Sequence, residues 1–265
     1  MRNIKIKLPK RMSTAIHIAD MQVPFHDRKS WKLVLSFIKE WKPDFVISHG
    51  DAAECYHYGS YDQSPLEKPS YLGAWNADVE IAEVQKSWKQ LHEATPKSTF
   101  LYTLGNHEDR VRRSKMKNNK ETIISSDTFV DIFKVHKWWN EIVEWGYGIK
   151  LGHLWCTHGD TTSLYAARKM LQMWGSCVAF GHCHRNSFWM ENPKGDNLRA
   201  AWGIPCLCRL DPRFVTQPNW SHGFAFSKFF PSGNFSIQII PIVGSSWFLF
   251  GNKIYKSGIK LVGEK

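Results

Sequence analysis

The sequence predicts an α/β fold on the basis of three observations. Short apolar runs recur along the first two thirds of the chain, and many of them end in a polar cluster. Two segments with the apolar spacing of amphipathic helices separate the first three runs, so the expected order is strand, helix, strand, helix, strand. This order is typical of parallel βαβ units. Several further strand-like runs near the end predict a β-rich C-terminal third.

The first half of the chain contains five predicted elements. Strands are expected at residues 14–19, 44–48 and 99–104, and helices at 30–41 and 75–91. In the first helix, Trp31, Val34, Ile38 and Trp41 recur at helical spacing and would form one buried face. Each of the three strands is followed directly by Asp, His or Asn residues, which are unusual in a buried run and therefore indicate loops with a function.

The second half is less regular at first and then becomes rich in strands. Residues 109–145 hold a basic run followed by a helical segment around 129–135. A strand is predicted at 151–157, a helix at 164–174 and a short strand at 178–180. Further strands are expected at 200–204, 223–229 and 235–242, and a hairpin at 247–250 and 253–255 that turns at Gly251-Asn252. No linker or repeat divides the chain.

Composition narrows the class of protein and its location. An apolar fraction of 43% and 13 tryptophans exclude a disordered chain. The formal charge of +11 favours a polyanionic partner such as nucleic acid, although excess charge also serves solubility alone. Six cysteines form no CxxC pair, and no run has the length of a signal peptide or membrane span. A soluble, cytoplasmic protein without a membrane partner is therefore expected.

Polar clusters that follow five predicted strands carry the candidate chemistry. Ligands of open α/β sheets bind at the carboxyl ends of strands, so these clusters are expected to converge. They contain Asp20 and Gln22, Asp51, Asn106 and His107, His158, and His182 and His184. Carboxylate, imidazole and amide groups are ligands for Mn, Fe or Zn. One carboxylate can bridge two ions, and a pair of ions about 3.5–4 Å apart can clamp a phosphoryl group.

The order of these clusters resembles a known family. D-x-Q, G-D, G-N-H-E, H-G-D and G-H-x-H follow one another as in the calcineurin-like metallophosphoesterases. A longer likeness links residues 20–27, 206–212 and 218–220 to uncharacterised phosphoesterases of phages and bacteria. The resemblance implies a four-layer α/β/β/α metallophosphoesterase sandwich of two mixed sheets flanked by helices. It also implies one domain over residues 1–265, with an N-terminal extension at 1–13 and a β-hairpin appendage at 243–265. A phage-encoded protein would reside in the host cytoplasm.

The same resemblance implies two metal positions and a catalytic histidine. One position would use Asp20, Gln22, Asp51 and His184, and the other Asp51, Asn106, His158 and His182. His107 would contact the leaving group, and Glu54 would orient it. The implied cofactor is a pair of divalent ions, with Mn favoured and Fe, Zn or Ni left open.

Gln22 departs from the family pattern, in which a histidine is usual. An amide oxygen is a weaker and harder ligand than imidazole. Gln22 is nevertheless expected to contact the metal, directly or through water. His26, Arg110 and Arg185 are predicted to bind substrate. The run Arg110, Arg112, Arg113, Lys115, Lys117 and Lys120 either tracks a nucleic-acid backbone or forms a solvated face. Arg209 and Arg213 are weaker candidates.

The other histidines and a cysteine pair receive structural interpretations. His17, His49, His57, His92, His136, His153 and His222 are predicted to be hydrogen-bonded surface residues. Cys206 and Cys208 are predicted to be small residues of a strand rather than metal ligands.

The predicted activity is hydrolysis of a phosphodiester or phosphomonoester by hydroxide bound to a dinuclear metal centre. DNA or RNA is a candidate substrate because of the charge and the basic run. The alternative is a non-catalytic protein with a degenerate metal site that binds nucleic acid or serves phage assembly. The sequence makes no prediction of oligomeric state.

Overall fold

Two six-stranded mixed sheets form the centre of the fold. The structure, a computed structural model, describes residues 2–59, 76–118, 128–192, 198–212 and 218–257, without the side chains of residues 115–118. The first sheet, sheet I, contains β2 (Ser13–Ile18), β3 (Phe45–Ser48), β4 (Thr99–Thr103), β5 (Glu141–Val143), β11 (Gly223–Phe229) and β12 (Phe235–Pro241). Its strand order is β12-β11-β2-β3-β4-β5, with β2 to β5 parallel and β11 antiparallel to β2.

The second sheet, sheet II, combines an N-terminal strand with strands from the second half of the chain. It contains β1 (Ile4–Ile6), β6 (Ile149–Leu151), β7 (Leu154–Thr157), β8 (Val178–Phe180), β9 (Ser187–Glu191) and β10 (Arg199–Gly203). Its strand order is β1-β6-β7-β8-β10-β9, with β7 and β8 parallel. A separate hairpin joins β13 (Trp247–Phe250) to β14 (Lys253–Lys256).

Helices cover the outer faces of both sheets. They are α1 (Arg28–Trp41), α2 (Ala77–Ala94), α3 (Asp109–Asn118), α4 (Phe129–Ile132) and α5 (Ala166–Trp174), with single 3₁₀ turns at Tyr56–Tyr58 and Val135–Lys137. Phe37 of α1 and Trp88 of α2 share a core with Val46 of sheet I. Met170 of α5 packs with Phe180 of sheet II. These contacts place helices outside each sheet.

A third core lies between the sheets and completes the layers. It joins Ala15, Ile47 and Leu101 of sheet I to Ile149 and Leu154 of sheet II, and all five are fully buried. The order of layers is therefore helices, sheet I, sheet II and helix, which confirms the predicted α/β/β/α sandwich. None of the helices in the described ranges has the length and hydropathy needed to cross a bilayer.

The predicted strand at 151–157 is wrong in one respect, because this segment contains a turn. β6 and β7 are antiparallel and reverse at Gly152, whose φ is +54°. A Cβ atom there would lie 2.4 Å from the carbonyl oxygen of Gly233, so only glycine fits. Short β1, β5 and β9 were not predicted at all, and β1 falls within the expected N-terminal extension.

The C-terminal hairpin packs against α1. Tyr255 stacks on Phe248 at 4.6 Å, and both rings contact Phe37. The Tyr255 hydroxyl accepts a hydrogen bond of 3.0 Å from Trp41 Nε1. Aromatic residues of the hairpin thus extend the core that α1 shares with sheet I.

Candidate metal centre

The loops that follow five strands meet at one edge of the two sheets. β2, β3 and β4 run parallel in sheet I, and β7 and β8 run parallel in sheet II, so the carboxyl ends of each set lie together. All seven predicted metal ligands stand in the loops after these strands: Asp20, Gln22, Asp51, Asn106, His158, His182 and His184. The parallel topology therefore gathers residues that are up to 164 positions apart in the sequence.

His158 is the centre of one group of potential ligands. Its Nε2 lies 2.9 Å from Asn106 Oδ1, 3.2 Å from His182 Nδ1 and 3.4 Å from Asp51 Oδ2. Its Nδ1 is 2.6 Å from the carbonyl oxygen of His49, which can only accept, so Nδ1 carries the proton. In the neutral ring, Nε2 is then left with a lone pair that faces the other three side chains.

Asp51 is shared with a second group. Ligand atoms of Asp20, Asp51 and His184 all lie within 4.8 Å of one another. His184 Nε2 is 3.4 Å from Asp20 Oδ1. Gln22 is buried nearby, with its amide nitrogen 3.4 Å from His107 Nε2. The geometry places Gln22 beside the candidate catalytic histidine and in the same loop as Asp20.

A cation fits the space between these groups. Asp51 Oδ2 is buried and has no hydrogen-bond partner in the part of the chain that the structure describes. Such an orphaned carboxylate oxygen is costly unless a positive charge satisfies it. The facing atoms of His158 and Asn106 are also acceptors. Oxygen and imidazole donors of this kind suit Mn, Fe or Zn, so the residues fit the predicted divalent ions.

Backbone strain is concentrated in the same loops. Asp20, Gln22, Asp51, His182 and His184 have φ angles of 49°, 48°, 50°, 65° and 57°. Non-glycine residues in this left-handed region cost about 1–3 kcal/mol each and persist where the surroundings impose them. These five residues are all among the predicted metal ligands, so the strained backbone coincides with the candidate site.

Glu108 is a functional residue that the sequence analysis missed. Its Oε2 accepts hydrogen bonds from Asp51 N at 2.9 Å and Gly105 N at 2.6 Å. Its Oε1 accepts from Ala53 N at 3.2 Å and from the Tyr102 hydroxyl at 2.8 Å. One buried carboxylate thus ties the Asp51 loop to the Asn106 loop. The only available signal was the glutamate of G-N-H-E, which carries no role by spacing alone.

His107 and Glu54 lie in contact, as their predicted roles require. His107 Nδ1 is 3.2 Å from Glu54 Oε2, and His107 N donates to Asp51 Oδ1 at 2.9 Å. Burial lowers the pKa of His107, but the carboxylates of Asp51 and Glu54 outweigh it and raise this pKa to about 9. The raised pKa favours a charged ring, but Nε2 can hold a donatable proton only once it is released from the Arg110 guanidinium, which can only donate to it.

The three predicted substrate-binding residues lie in different surroundings. Arg110 forms an ion pair of 2.9 Å with Glu54 Oε1, and its Nη2 lies 2.9 Å from His107 Nε2. Arg185 donates to the carbonyl oxygens of Thr162 and Ser163. His26 lines a cavity of about 220 Å³ between α1 and α2, apart from the two groups of candidate ligands. Arg110 is thus the one of the three that contacts the candidate site, through Glu54 and His107.

The basic run after His107 is partly described. Arg112 and Arg113 of α3 are exposed and pair with Asp109 at 2.7 and 3.0 Å. Arg113 also donates to the carbonyl oxygen of Asn106 at 2.8 Å. Lys120 and Arg213, together with the side chains of Lys115 and Lys117, lie outside the described parts of the chain. Arg209 pairs with Asp211 at 3.0 Å.

The surface interpretation is wrong for three of the other histidines. His17 and His49 are 0% exposed and His222 is 4% exposed. Each has hydrogen-bond partners in the interior, which the sequence could not show because they come from distant parts of the chain. Cys206 and Cys208 are also buried, and Cys208 Sγ lies 3.6 Å from His184 Nδ1, behind a candidate ligand.

The buried carboxyl of Glu80 is expected to make the stability of the fold depend on pH. Burial raises the pKa of this carboxyl to about 8, and the charge of Glu54 adds to the effect. The fold therefore favours the neutral form, and stability is lost as the pH rises from the unfolded pKa, about 4.5, through about 8. We expect Glu80→Gln to remove this loss, which amounts to a few kcal/mol. Thermal unfolding of both proteins from pH 5 to pH 9 measures it. Parallel curves would contradict the prediction.

Comparison with known proteins identifies a matching family and several similar proteins. Residues 13–204 match the model of a family described as calcineurin-like phosphoesterases. The chain is 22% identical to the gene 54 protein of Mycobacterium phage D29 over 89% of its own length and 96% of that protein. It is 21% identical to the gene 54 protein of Mycobacterium phage L5, over 88% and 95%. A zinc complex of Vps29 from Entamoeba histolytica aligns with a TM-score of 0.46 at 12% identity, over 88% and 94%.

Proposed function

Because the chain belongs to the calcineurin-like phosphoesterase family, we propose that it hydrolyses phosphate esters with the help of two divalent metal ions. The observation that carries the proposal is the Asp51 carboxylate, which belongs to both groups of ligand-type side chains and whose buried Oδ2 has no hydrogen-bond partner among the described residues. A carboxylate shared in this way is the arrangement that a two-metal site requires.

The residues divide into two sets that share Asp51. Asp20, Gln22 and His184 would hold one ion with it, and Asn106, His158 and His182 would hold the other. Bound ions neutralise the phosphate and lower the pKa of the attacking water. We propose manganese because the donors are mainly oxygen and imidazole and because Gln22 supplies a hard amide oxygen.

His107 would act on the leaving group. Its ring is buried beside Asp51, and in the metal-free protein the carboxylates of Asp51 and Glu54 raise its pKa to about 9. Glu54 contacts Nδ1, and Arg110 holds the same carboxylate from the other side. Burial favours the neutral form of Glu54, but His107 and Arg110 outweigh it and lower the pKa of this carboxyl. A charged Glu54 keeps the His107 ring oriented so that Nε2 can donate to the departing oxygen.

Nucleic acid is the substrate class that the charge favours. The formal charge is +11, and α3 begins directly after His107 with exposed Arg112 and Arg113. Guanidinium groups at this position could contact phosphates that flank the scissile bond. We therefore propose a phosphodiester of DNA or RNA as the substrate.

Hydrolysis of simple esters tests the general activity. Purified protein with Mn²⁺ is offered bis-p-nitrophenyl phosphate and p-nitrophenyl phosphate, and bound metal is counted by elemental analysis. We expect release of nitrophenol, faster from the diester, and two ions per chain. Absence of turnover with both esters, together with no bound metal, would rule out the proposal.

Salt dependence tests the proposal that nucleic acid is bound. We expect Arg112→Ala to make the slope of log affinity against log salt less negative by about 1, because one phosphate contact is lost. Hydrolysis of bis-p-nitrophenyl phosphate should be unchanged. Arg11→Ala is the matched control, since Arg11 pairs with Asp44 at the opposite end of the strands. Equal salt slopes for all three proteins would argue for a small substrate.

Gln22 favours a second candidate function, namely a non-catalytic protein that binds nucleic acid. Loss of an imidazole ligand weakens one metal position and could leave a single structural ion. Gln22→His discriminates between the two. If the protein is an enzyme, we expect tighter metal binding but little change in turnover. A silent wild-type protein that gains turnover with the histidine would favour the second candidate.

A further inference from the structure

A continuous chain of buried hydrogen bonds crosses from sheet I to sheet II behind the candidate metal centre. The Ser227 hydroxyl in β11 lies 2.8 Å from His17 Nε2 in β2. His17 Nδ1 lies 2.9 Å from His49 Nε2, and His49 Nδ1 lies 2.9 Å from the carbonyl oxygen of Thr157 in β7. Ser227, His17 and His49 are 0% exposed and Thr157 is 2% exposed, so water does not compete for these bonds.

The carbonyl group at one end of this chain of hydrogen bonds fixes the position of every proton in it. A carbonyl oxygen only accepts, so His49 Nδ1 donates to Thr157. His49 Nε2 must then accept from His17 Nδ1, and His17 Nε2 must accept from the Ser227 hydroxyl. Both rings are neutral in this arrangement and all four ring nitrogens have a partner. Burial, with a smaller effect of His49, also holds the pKa of His17 well below its usual range.

A metal ion is a poorer explanation of the same cluster. His17, His49 and Cys156 offer three ligand atoms within 4.8 Å of one another. The two ring nitrogens that would face an ion already bind each other at 2.9 Å. Burial raises the pKa of the Cys156 thiol, which opposes the thiolate form that a metal requires. The hydrogen-bond chain satisfies the two rings without any ion.

The backbone of His49 connects this chain to His158. The carbonyl oxygen of His49 accepts the Nδ1 proton of His158 at 2.6 Å. The following residue, Gly50, has a φ of +88°, and a Cβ atom there would lie 2.5 Å from His158 Nδ1. The peptide after His49 therefore packs directly against the His158 ring. Any shift of His49 would move the acceptor that holds this ring.

We propose that Ser227, His17 and His49 form a positioning relay that fixes the orientation and the protonated nitrogen of His158. The side chain of His49 is held at both ring nitrogens, which locks the residue whose carbonyl binds His158. The inference rests on the proposed function in one respect, since His158 is taken as a metal ligand. Partners behind a ligand typically change metal affinity by about 10–100-fold when they are removed.

The test compares Ser227→Ala and His17→Phe with a matched control. Ser13→Ala serves as the control, because Ser13 is 1% exposed in the same strand as His17 and its hydroxyl has no partner among the described residues. Long-range ¹⁵N–¹H spectra of histidine in the metal-free protein report which ring nitrogen of His158 carries the proton. Calorimetry reports Mn²⁺ affinity. We expect both relay variants to broaden or shift the His158 Nδ1 signal and to weaken Mn²⁺ binding by about tenfold. The control should match the wild type.

Two outcomes would overturn the relay. One is an unchanged His158 signal in both relay variants, and the other is wild-type Mn²⁺ affinity in both. If His17→Phe does not fold, Ser227→Ala decides alone, because it removes one hydroxyl only. If the wild-type protein binds no Mn²⁺, the proposed metal centre fails, whereas the spectra of the metal-free protein still decide whether the relay holds His158.

Discussion

Asp51→Asn is expected to lower turnover on a phosphodiester by about a thousandfold, because several kcal/mol of charge stabilisation is lost and each 1.36 kcal/mol is a factor of ten. Asn keeps the shape of the side chain and its acceptor for His107 N, which lies 2.9 Å from Oδ1. It removes the charge of the carboxylate that both groups of candidate ligands share. Steady-state kinetics with bis-p-nitrophenyl phosphate and Mn²⁺ measure the effect, and elemental analysis should show loss of at least one ion.

The matched control is Asp44→Asn. Asp44 precedes β3, whereas Asp51 follows it, and Asp44 pairs with Arg11 far from the ligands. Its substitution should leave turnover and metal content within about twofold of wild type, since an exposed ion pair contributes little. If Asp51→Asn retained full turnover and two ions, the shared-carboxylate centre would not exist.

Glu108→Gln is expected to have the largest effect on stability, about 3 kcal/mol, because one acceptor of a buried carboxyl with four donors is lost and a backbone donor is left unpaired. The two oxygens accept from Asp51, Gly105, Ala53 and Tyr102, and an amide nitrogen can accept from none of them. For a chain of this size the melting temperature should fall by roughly 6–12 °C. Metal binding should weaken as well, since the Asp51 loop loses its tie to the Asn106 loop.

Glu80→Gln is the comparison at a second buried carboxyl. Glu80 is also buried and accepts from Cys55 N, but its pKa of about 8 keeps it neutral at pH 7. An amide therefore replaces a neutral carboxyl and removes the cost of keeping that carboxyl protonated at pH 7, so Glu80→Gln should be no less stable than the wild type at this pH. Thermal unfolding at pH 7 compares the two variants. Equal losses would show that Glu108 acts through packing and not as a hydrogen-bond acceptor.

The sequence predicted most of the fold because its central elements carry local signals. Strands β2, β3 and β4 are buried apolar runs, and α1 and α2 show helical spacing. β1 and β5 were missed because they have three residues each and pair with strands far along the chain, and β9 was missed because none of its five residues is buried. The hairpin of β6 and β7 was predicted as one strand because its turn at Gly152 depends on a close contact with Gly233, which is distant in the sequence.

The sequence also predicted some features of the candidate site and missed others. The ligand set was visible because each member directly follows a strand, so local order was enough to propose it. Arg110 was predicted to bind phosphate, yet it pairs with Glu54 at 2.9 Å, a contact that joins residues 56 positions apart. His17 and His49 were assigned to the surface although they bind Ser227 and Thr157 in the interior.

By itself the sequence determined the class of fold, through periodicity, and the family and candidate ligands, through the resemblance of five ordered motifs to the calcineurin-like metallophosphoesterases. Only the tertiary structure decided which atoms face one another, because side-chain partners are set by how strands from distant parts of the chain align. That alignment leaves Asp51 Oδ2 without a partner, gives Glu108 four donors and sets the carbonyl of His49 against His158.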